Sequence, residues 1–342
     1  INKMISHKKI TNPERSLSES AVVETTISII SSDIDSSPKP EKNNNDNDLD
    51  GSNKITNEVA TYGSLCNFRD LPYWCQDNRD IVSGYRRPTL SYLKCAYSLF
   101  YIHNEFRAII FICLAFTTHF YVLSRQSTIT WQDFFVLYMF LAGAMVCLGL
   151  SSIFHVLCCH SERVCANWNR CDYIGIVFLI VGSLYPMIYY GFFCNDSLKI
   201  FYLSLITVLG IATTCLAVSP KFRYPQFRWF RTLLFLAMGL SAVIPMTHAV
   251  VLYGVELCFF VISLKWLLLT GILYIAGALA YGARIPERWY PGKFDICGSS
   301  HQIFHLFVVA AALVHYYGVV QSMIYWHKEN YECSLDIKSM KI

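Results

Sequence analysis

Long apolar runs separated by short polar stretches dominate the chain beyond about residue 100. A run of about 18 or more residues with few charges predicts a helix that crosses a membrane. Backbone groups inside a bilayer need internal hydrogen bonds, which favours helices over open strands. Seven runs meet this description: residues 107–124, 133–156, 172–193, 199–219, 230–252, 265–283 and 302–324. The pattern therefore predicts an all-α membrane protein, a seven-transmembrane helix bundle.

The polar residues outside these runs divide the chain further. Residues 1–68 are rich in Ser, Asn, Asp and Lys, which predicts a disordered tail. Residues 69–106 form a juxtamembrane segment, and its aromatic, amphipathic stretch 90–106 predicts an interfacial helix or the start of a longer first helix. The seven-helix domain is expected over 107–324, followed by a short tail over 325–342.

Composition and charge give the expected orientation. Of all residues 54% are hydrophobic and 15% are charged, with a net charge of +4. Near the ends of the predicted spans, 15 Lys and Arg residues fall on one side and six on the other. Cytoplasmic loops carry the excess of Lys and Arg, so we expect a cytosolic N-terminus and an extracellular C-terminus. We expect a multi-pass membrane protein located in the plasma membrane, with no nucleic-acid partner.

Several ionisable or polar residues inside the spans fall at one predicted depth. His155 lies near the cytosolic end of the second span, with Ser151 one turn deeper. Asp172 begins the third span, and His301 and His305 begin the seventh. Ionisable residues within a membrane are costly and mark a function or a structural pairing. The span directions predict that these five side chains converge.

Three histidines at one depth predict a zinc site. Three imidazoles around a tetrahedral ion leave a fourth position open, as in catalytic zinc centres. His301 and His305 are four residues apart and share one helix face. Alone, this pair is more typical of interfacial polar residues that cap a helix than of a metal site, but the matched depth of His155 and Asp172 favours a metal. Adjacent Cys158 and Cys159 lack the C-x-x-C spacing, so we expect no metal there.

Asp172 and Ser151 are the candidate catalytic residues beside this zinc. Asp172 would orient a ligand, bind the metal itself or hold a zinc-bound water. The alternative is that Asp172 caps the third span, where a carboxylate suits the helix dipole. Ser151 would hydrogen-bond the same water, or serve as a small residue that lets helices pack closely.

Four motifs carry a resemblance to a known family. They are "SSIFHVLCCHSERV" (151–164), "CDYIGI" (171–176), "YGARIPERWYPGKFDI" (281–296) and "SHQIFHLFVVAAALVHYYGV" (300–319). They resemble the progestin and adipoQ receptor family, and within it the adiponectin receptors, over residues 71–320. The resemblance implies a seven-helix receptor with a lipid-accessible cavity and a cytosolic N-terminus.

The resemblance also implies roles for individual residues. His155, His301 and His305 match the zinc ligands, Asp172 the residue that holds the zinc-bound water, and Ser151 the serine of an S-x-x-x-H pattern. One motif departs from the family. Ahead of the first span the family reads H-x-E-x-x-N-I-x-x-H, whereas this chain keeps His103 and Glu105 but has Ala108 and Ile112 in place of Asn and His.

Three functions follow as hypotheses. The first is a receptor that binds an extracellular adiponectin-like protein and regulates lipid and energy metabolism through a cytosolic signalling adaptor. The second is a zinc-dependent hydrolase of a lipid amide such as ceramide, since the resemblance implies ceramidase activity and places ceramide or a fatty acid in the bundle cavity. The third is a zinc ion that only ties the spans together.

Overall fold

The computed structural model describes residues 65–100 and 130–327, which are mostly helical. The tail 1–68 (except residues 65–68), the predicted first span 107–124 and residues 328–342 lie outside the described residues. Within the described ranges, six helical segments are long and apolar enough to cross a membrane. They are Trp131–Leu157, Glu162–Gly191, Asp196–Ala217, Pro225–Tyr253, Leu264–Ala283 and Ser300–His327.

Short elements precede the long helices. Strands β1 (Leu65–Cys66) and β2 (Tyr85–Arg86) pair antiparallel, with Leu65 opposite Arg86, and helix α1 covers Tyr92–Tyr97. Helix α1 lies within the stretch 90–106, for which an interfacial helix is predicted. Ser91 caps this helix by accepting a hydrogen bond from the Lys94 N–H. The long helices follow in chain order: α2 (Trp131–Leu157), α3 (Glu162–Gly191), α4 (Asp196–Ala217), α5 (Arg228–Leu240), α6 (Val243–Tyr253), α7 (Val255–Val261), α8 (Leu264–Ala283) and α9 (Ser300–His327).

The boundaries differ from the predicted spans in two places. Helix α3 begins at Glu162 rather than at 172, because its first turns are polar and an apolar run cannot reveal them. The predicted span 230–252 consists of two helices, α5 and α6, which meet at Ser241. Pro245 lacks the N–H that would bond the Ser241 carbonyl, so the helix is interrupted there.

Helices α2 and α3 pack against each other through glycines. A Cβ added at Gly143 would lie 2.6 Å from the Phe178 carbonyl oxygen, and one at Gly182 would lie 2.6 Å from the Met139 carbonyl oxygen. Small residues allow the backbones of membrane helices to approach this closely. The glycines therefore fix how α2, which carries His155, lies against α3, which carries Asp172.

We expect Gly182→Ala to destabilise the bundle by about 1–3 kcal/mol, because the added methyl group overpacks a backbone contact. Thermal unfolding of the purified chain in detergent measures the change. Gly149→Ala is the matched control on α2, since a Cβ there meets nothing within 4 Å. Alanine also favours a helix over glycine, so this control should be neutral or slightly stabilising. Equal melting temperatures for the two variants would contradict the close packing.

The main core lies toward the end of the bundle away from His155. Its largest fully buried side chains include Tyr190, Phe192 and Ile188 of the α3 end and Met323 of α9. At this end the buried Asp133 carboxylate accepts hydrogen bonds from the Thr130 backbone and hydroxyl and from the Tyr190 hydroxyl (2.9 Å). The opposite end of the bundle holds the predicted zinc ligands.

Candidate metal centre

Two helix ends bring the three predicted histidines together. His155 lies in the last turn of α2, and His301 and His305 lie in the first turns of α9. The His155 ring centroid is 4.9 Å from that of His301 and 5.4 Å from that of His305. The two α9 rings stack at 4.9 Å with 11° between their planes. One nitrogen from each residue lies within 4.8 Å of the others, so a single ion could reach all three.

The donor chemistry fits zinc. All three donors are imidazole nitrogens, which suit zinc when neutral. The His305 Nε2 atom is buried and has no hydrogen-bond partner among the described residues. A buried polar atom without a partner costs free energy, and a metal ligand bond would remove that cost. Within the described residues, no other set of three His, Cys, Asp or Glu side chains has this spacing.

Asp172 and Ser151 lie beside the triad. The Asp172 carboxylate is buried, interacts electrostatically with His155 and lies next to the Ser151 hydroxyl. Ser151 is on α2, one turn before His155, and is also buried. The alternative that Asp172 caps its helix is wrong, because α3 begins ten residues earlier, with Ser161 as its N-cap.

The triad lies in the wall of a large cavity inside the bundle. The cavity has a volume of about 510 Å³, within the roughly 300–1,000 Å³ typical of ligand sites. Apolar side chains provide most of its lining, and it runs from Asp172 past Leu267 to His315. A second cavity of about 430 Å³ lies against the juxtamembrane residues and shares all three histidines with the first. The three histidines thus line both cavities.

Sequence reasoning missed two residues that line the main cavity, Tyr281 and Arg231. The Tyr281 ring packs 5.3 Å from His301 between ring centroids. Arg231 is only 3% exposed; it donates to the Phe222 and Tyr224 carbonyls and lies 5.6 Å from the centre of the Tyr173 ring. In the sequence, Arg231 is a basic residue at a span end, which is indistinguishable from a topology marker.

A family comparison covers most of the described helices. The family described as "Haemolysin-III related" matches residues 100–316. The match includes every residue of the triad, together with Asp172 and Ser151.

Three curated relatives show the extent of similarity. The chain is 44% identical over 266 residues to the "Adiponectin receptor protein" of Drosophila melanogaster, covering 76% of this chain and 60% of that protein. It is 40% identical over 270 residues to "Progestin and adipoQ receptor-like protein 1" of Caenorhabditis elegans, covering 78% and 62%. It is 41% identical over 267 residues to the "ADIPOR-like receptor IZH2" of Saccharomyces cerevisiae, covering 75% and 84%.

The chain spans about three-fifths of the length of the fly and nematode proteins. With six apolar helical segments of membrane-spanning length among its described residues, it is an integral multi-pass membrane protein. The matched region and the identities show that the chain belongs to the haemolysin-III-related family, that of the progestin and adipoQ receptors, and is adiponectin receptor-like.

Proposed function

We propose that this chain is a seven-transmembrane receptor whose zinc centre hydrolyses a lipid amide such as ceramide near the cytosolic face of the membrane. The observation that carries the proposal is a triad of imidazoles in the wall of a largely apolar cavity of about 510 Å³. An acyl chain needs an apolar cavity, and hydrolysis needs a polar centre at one end of it. His155, His301 and His305 would hold the zinc ion.

The proposed orientation has the N-terminus in the cytosol and a first span within 107–124, which would bring the total to seven. The excess of Lys and Arg at the triad end supports it. Cys194, which follows α3 at the other end of the bundle, is disulfide-bonded, and disulfides persist in oxidising compartments. At the triad end, the sulfurs of Cys95 and Cys159 lie 3.6 Å apart without a disulfide. Reduced thiols in contact are expected on the cytosolic side.

Amide hydrolysis breaks the C–N bond of the lipid and forms a C–O bond from water. Zinc at such a centre supplies Lewis acidity, which polarises the amide carbonyl and makes water nucleophilic near neutral pH. Asp172, which is buried and interacts with His155, would accept the proton of the attacking water and deliver a proton to the departing amine. Ser151 would hydrogen-bond and orient that water. The products are a fatty acid and an amine, so atoms and charges balance.

The receptor part of the proposal rests on family membership. Relatives carry the names adiponectin receptor and progestin and adipoQ receptor-like protein. By extension, the chain would act at the plasma membrane, bind an extracellular adiponectin-like protein and regulate lipid and energy metabolism through a cytosolic signalling adaptor. Two alternatives remain: a membrane ceramidase without a protein ligand, and a zinc ion that only ties α2, α3 and α9 together.

Turnover of ceramide by the purified chain tests the proposal. The full chain in lipid nanodiscs, given ceramide labelled in its acyl chain, should contain about one zinc ion per molecule and release labelled fatty acid. A chelator should stop the release, and added zinc should restore it. Added Mg²⁺ is the control and should not restore it, because Mg²⁺ prefers oxygen ligands.

Each other result removes part of the proposal. A chain without zinc by metal analysis would overturn the metal centre. A chain that contains zinc but releases no fatty acid would overturn the hydrolase and favour the structural zinc. Release that continues after complete removal of zinc would mean that the triad is not the catalytic centre.

A further inference from the structure

A buried arginine holds the end of α2 that carries His155. Arg86 of strand β2 is 5% exposed and donates to the Val156 carbonyl (3.1 Å) and to the His155 carbonyl. It also donates to the Ser98 hydroxyl (2.7 Å), in the 3-10 turn that follows α1. The last carbonyls of a helix lack partners within the helix and form the negative end of its dipole. Arg86 therefore fixes the backbone of the His155 position.

A buried glutamate holds the end of α9 that carries His301. Glu287 is 1% exposed, and its carboxylate accepts the Ser300 backbone N–H (2.7 Å) and the Ser300 hydroxyl. The first N–H groups of a helix also lack partners within the helix, and a carboxylate suits the positive end of its dipole. His301 follows Ser300 directly. Glu287 therefore fixes the backbone at the start of α9, the helix that carries His301 and His305.

The juxtamembrane segment links these two helix ends. The Asn78 side chain donates a hydrogen bond to Glu287 (3.0 Å). The same carboxylate therefore accepts hydrogen bonds from both the juxtamembrane segment and the first residue of α9. Asp295, in the loop before α9, accepts the backbone N–H groups of Val82 (3.0 Å) and Ser83 (2.7 Å). Arg86 follows a few residues later and reaches α2. Residues 78–90, hereafter the clamp, thus contact both helix ends.

The clamp matters because α2 and α9 have little direct packing of their own. Helix α2 packs chiefly on α3, and α9 packs chiefly on α8. The separation of His155 from the His301–His305 pair is therefore not set by an extensive α2–α9 interface. The contacts of the clamp lie in the same end turns of the helices as the histidines.

We propose that the clamp sets the separation of His155 from His301 and His305, with Arg86 and Glu287 as positioning residues for the metal centre. The inference rests on the proposed zinc site. Neither residue touches the metal; each acts through the helix end that it caps. Groups that orient metal ligands typically change metal affinity by about 10–100-fold when they are altered.

Zinc affinity of purified full-length variants tests the clamp. Glu287→Gln keeps the shape of the side chain but turns an amide NH2 toward donors, and Arg86→Lys keeps the charge but cannot reach several acceptors. Chelator competition should show about 10-fold weaker zinc binding in each. With Co²⁺ in place of zinc, the visible absorption of the four-coordinate ion should change in the variants, which a loss of stability alone would not cause.

Two matched controls separate positioning from a general effect of losing charge. Arg87→Gln changes the exposed neighbour of Arg86, and Glu256→Gln changes an exposed acidic residue in the first turn of α7. Both should bind zinc and Co²⁺ as the unaltered chain does. If Glu287→Gln fails to fold, Asp295→Asn replaces it. Asp295→Asn weakens the hydrogen bonds between the loop before α9 and the clamp, and it should also weaken zinc binding.

The outcomes distinguish the clamp from the zinc site. If the unaltered chain binds zinc and both Arg86→Lys and Glu287→Gln bind it equally well, with the same Co²⁺ spectrum, the clamp is overturned and the zinc site stands. If the unaltered chain binds no zinc, both are overturned. Weaker zinc binding by Arg86→Lys and Glu287→Gln, with unchanged binding by the two controls, supports both the clamp and the zinc site.

Discussion

His305→Ala should lose zinc, with an affinity at least about 100-fold below that of the unaltered chain, since even changes behind the ligands cost about 10–100-fold. The substitution removes one of only three nitrogen donors and leaves two imidazoles, one from each helix. The buried His305 Nε2 has no hydrogen-bond partner among the described residues, so no existing contact competes with the metal for it. Metal analysis of the purified chain and chelator competition measure the loss.

The same variant should also lose its stabilisation by zinc. A ligand that binds only the folded state stabilises it by about 4 kcal/mol at a thousand times its dissociation constant. Added zinc should therefore raise the melting temperature of the unaltered chain but not that of His305→Ala.

His315→Ala is the matched control on the same helix. Its ring is buried, bonds the Ser183 carbonyl (2.9 Å) and lies ten residues beyond His305. This control should lower stability, because a buried acceptor is left without its donor, but should keep zinc. If His305→Ala binds zinc as tightly as the unaltered chain, the assignment of the three histidines as the metal site is wrong. If instead zinc is lost while the folded variant still signals, the receptor function does not depend on the metal.

Much of the helical fold could be predicted from the apolar runs. The runs at 133–156 and 265–283 match α2 and α8 within two residues at each end. The start of α3 was missed because a hydropathy run reports the lipid-facing length, whereas Glu162 and the polar turn after it extend the helix beyond that length. This difference excludes the N-cap role for Asp172, since a residue in the third turn cannot cap the helix.

Only the part of the candidate site that follows from the membrane depth of each residue and the direction of each span could be predicted from the sequence. Span directions bring His155 level with His301 and His305, and the structure has these side chains together. Arg86 and Arg231 were counted among the basic residues that orient the chain, yet both are buried and hold backbone carbonyls. Such contacts join distant parts of the chain, as Glu287 does with Asn78, and no local pattern reports them.

Asp172→Asn should keep zinc and fold but reduce ceramide turnover by about 10²–10⁴-fold, the range that general acid–base catalysis contributes. Asparagine has nearly the same shape and can still hydrogen-bond, but it cannot accept the proton of the attacking water. Labelled fatty acid release, measured with the zinc content of the same sample, gives the result.

Asp133→Asn is the matched control, because Asp133 is also a buried carboxylate but lies at the end of α2 away from His155, where it caps the helix and accepts the Tyr190 hydroxyl. This control should lower stability while leaving the turnover of the folded fraction unchanged. Loss of zinc in Asp172→Asn would instead make Asp172 a metal ligand, one of the roles that its sequence position leaves open. Unchanged turnover with zinc bound would exclude Asp172 as the proton acceptor, and any hydrolysis would then need another base at the triad.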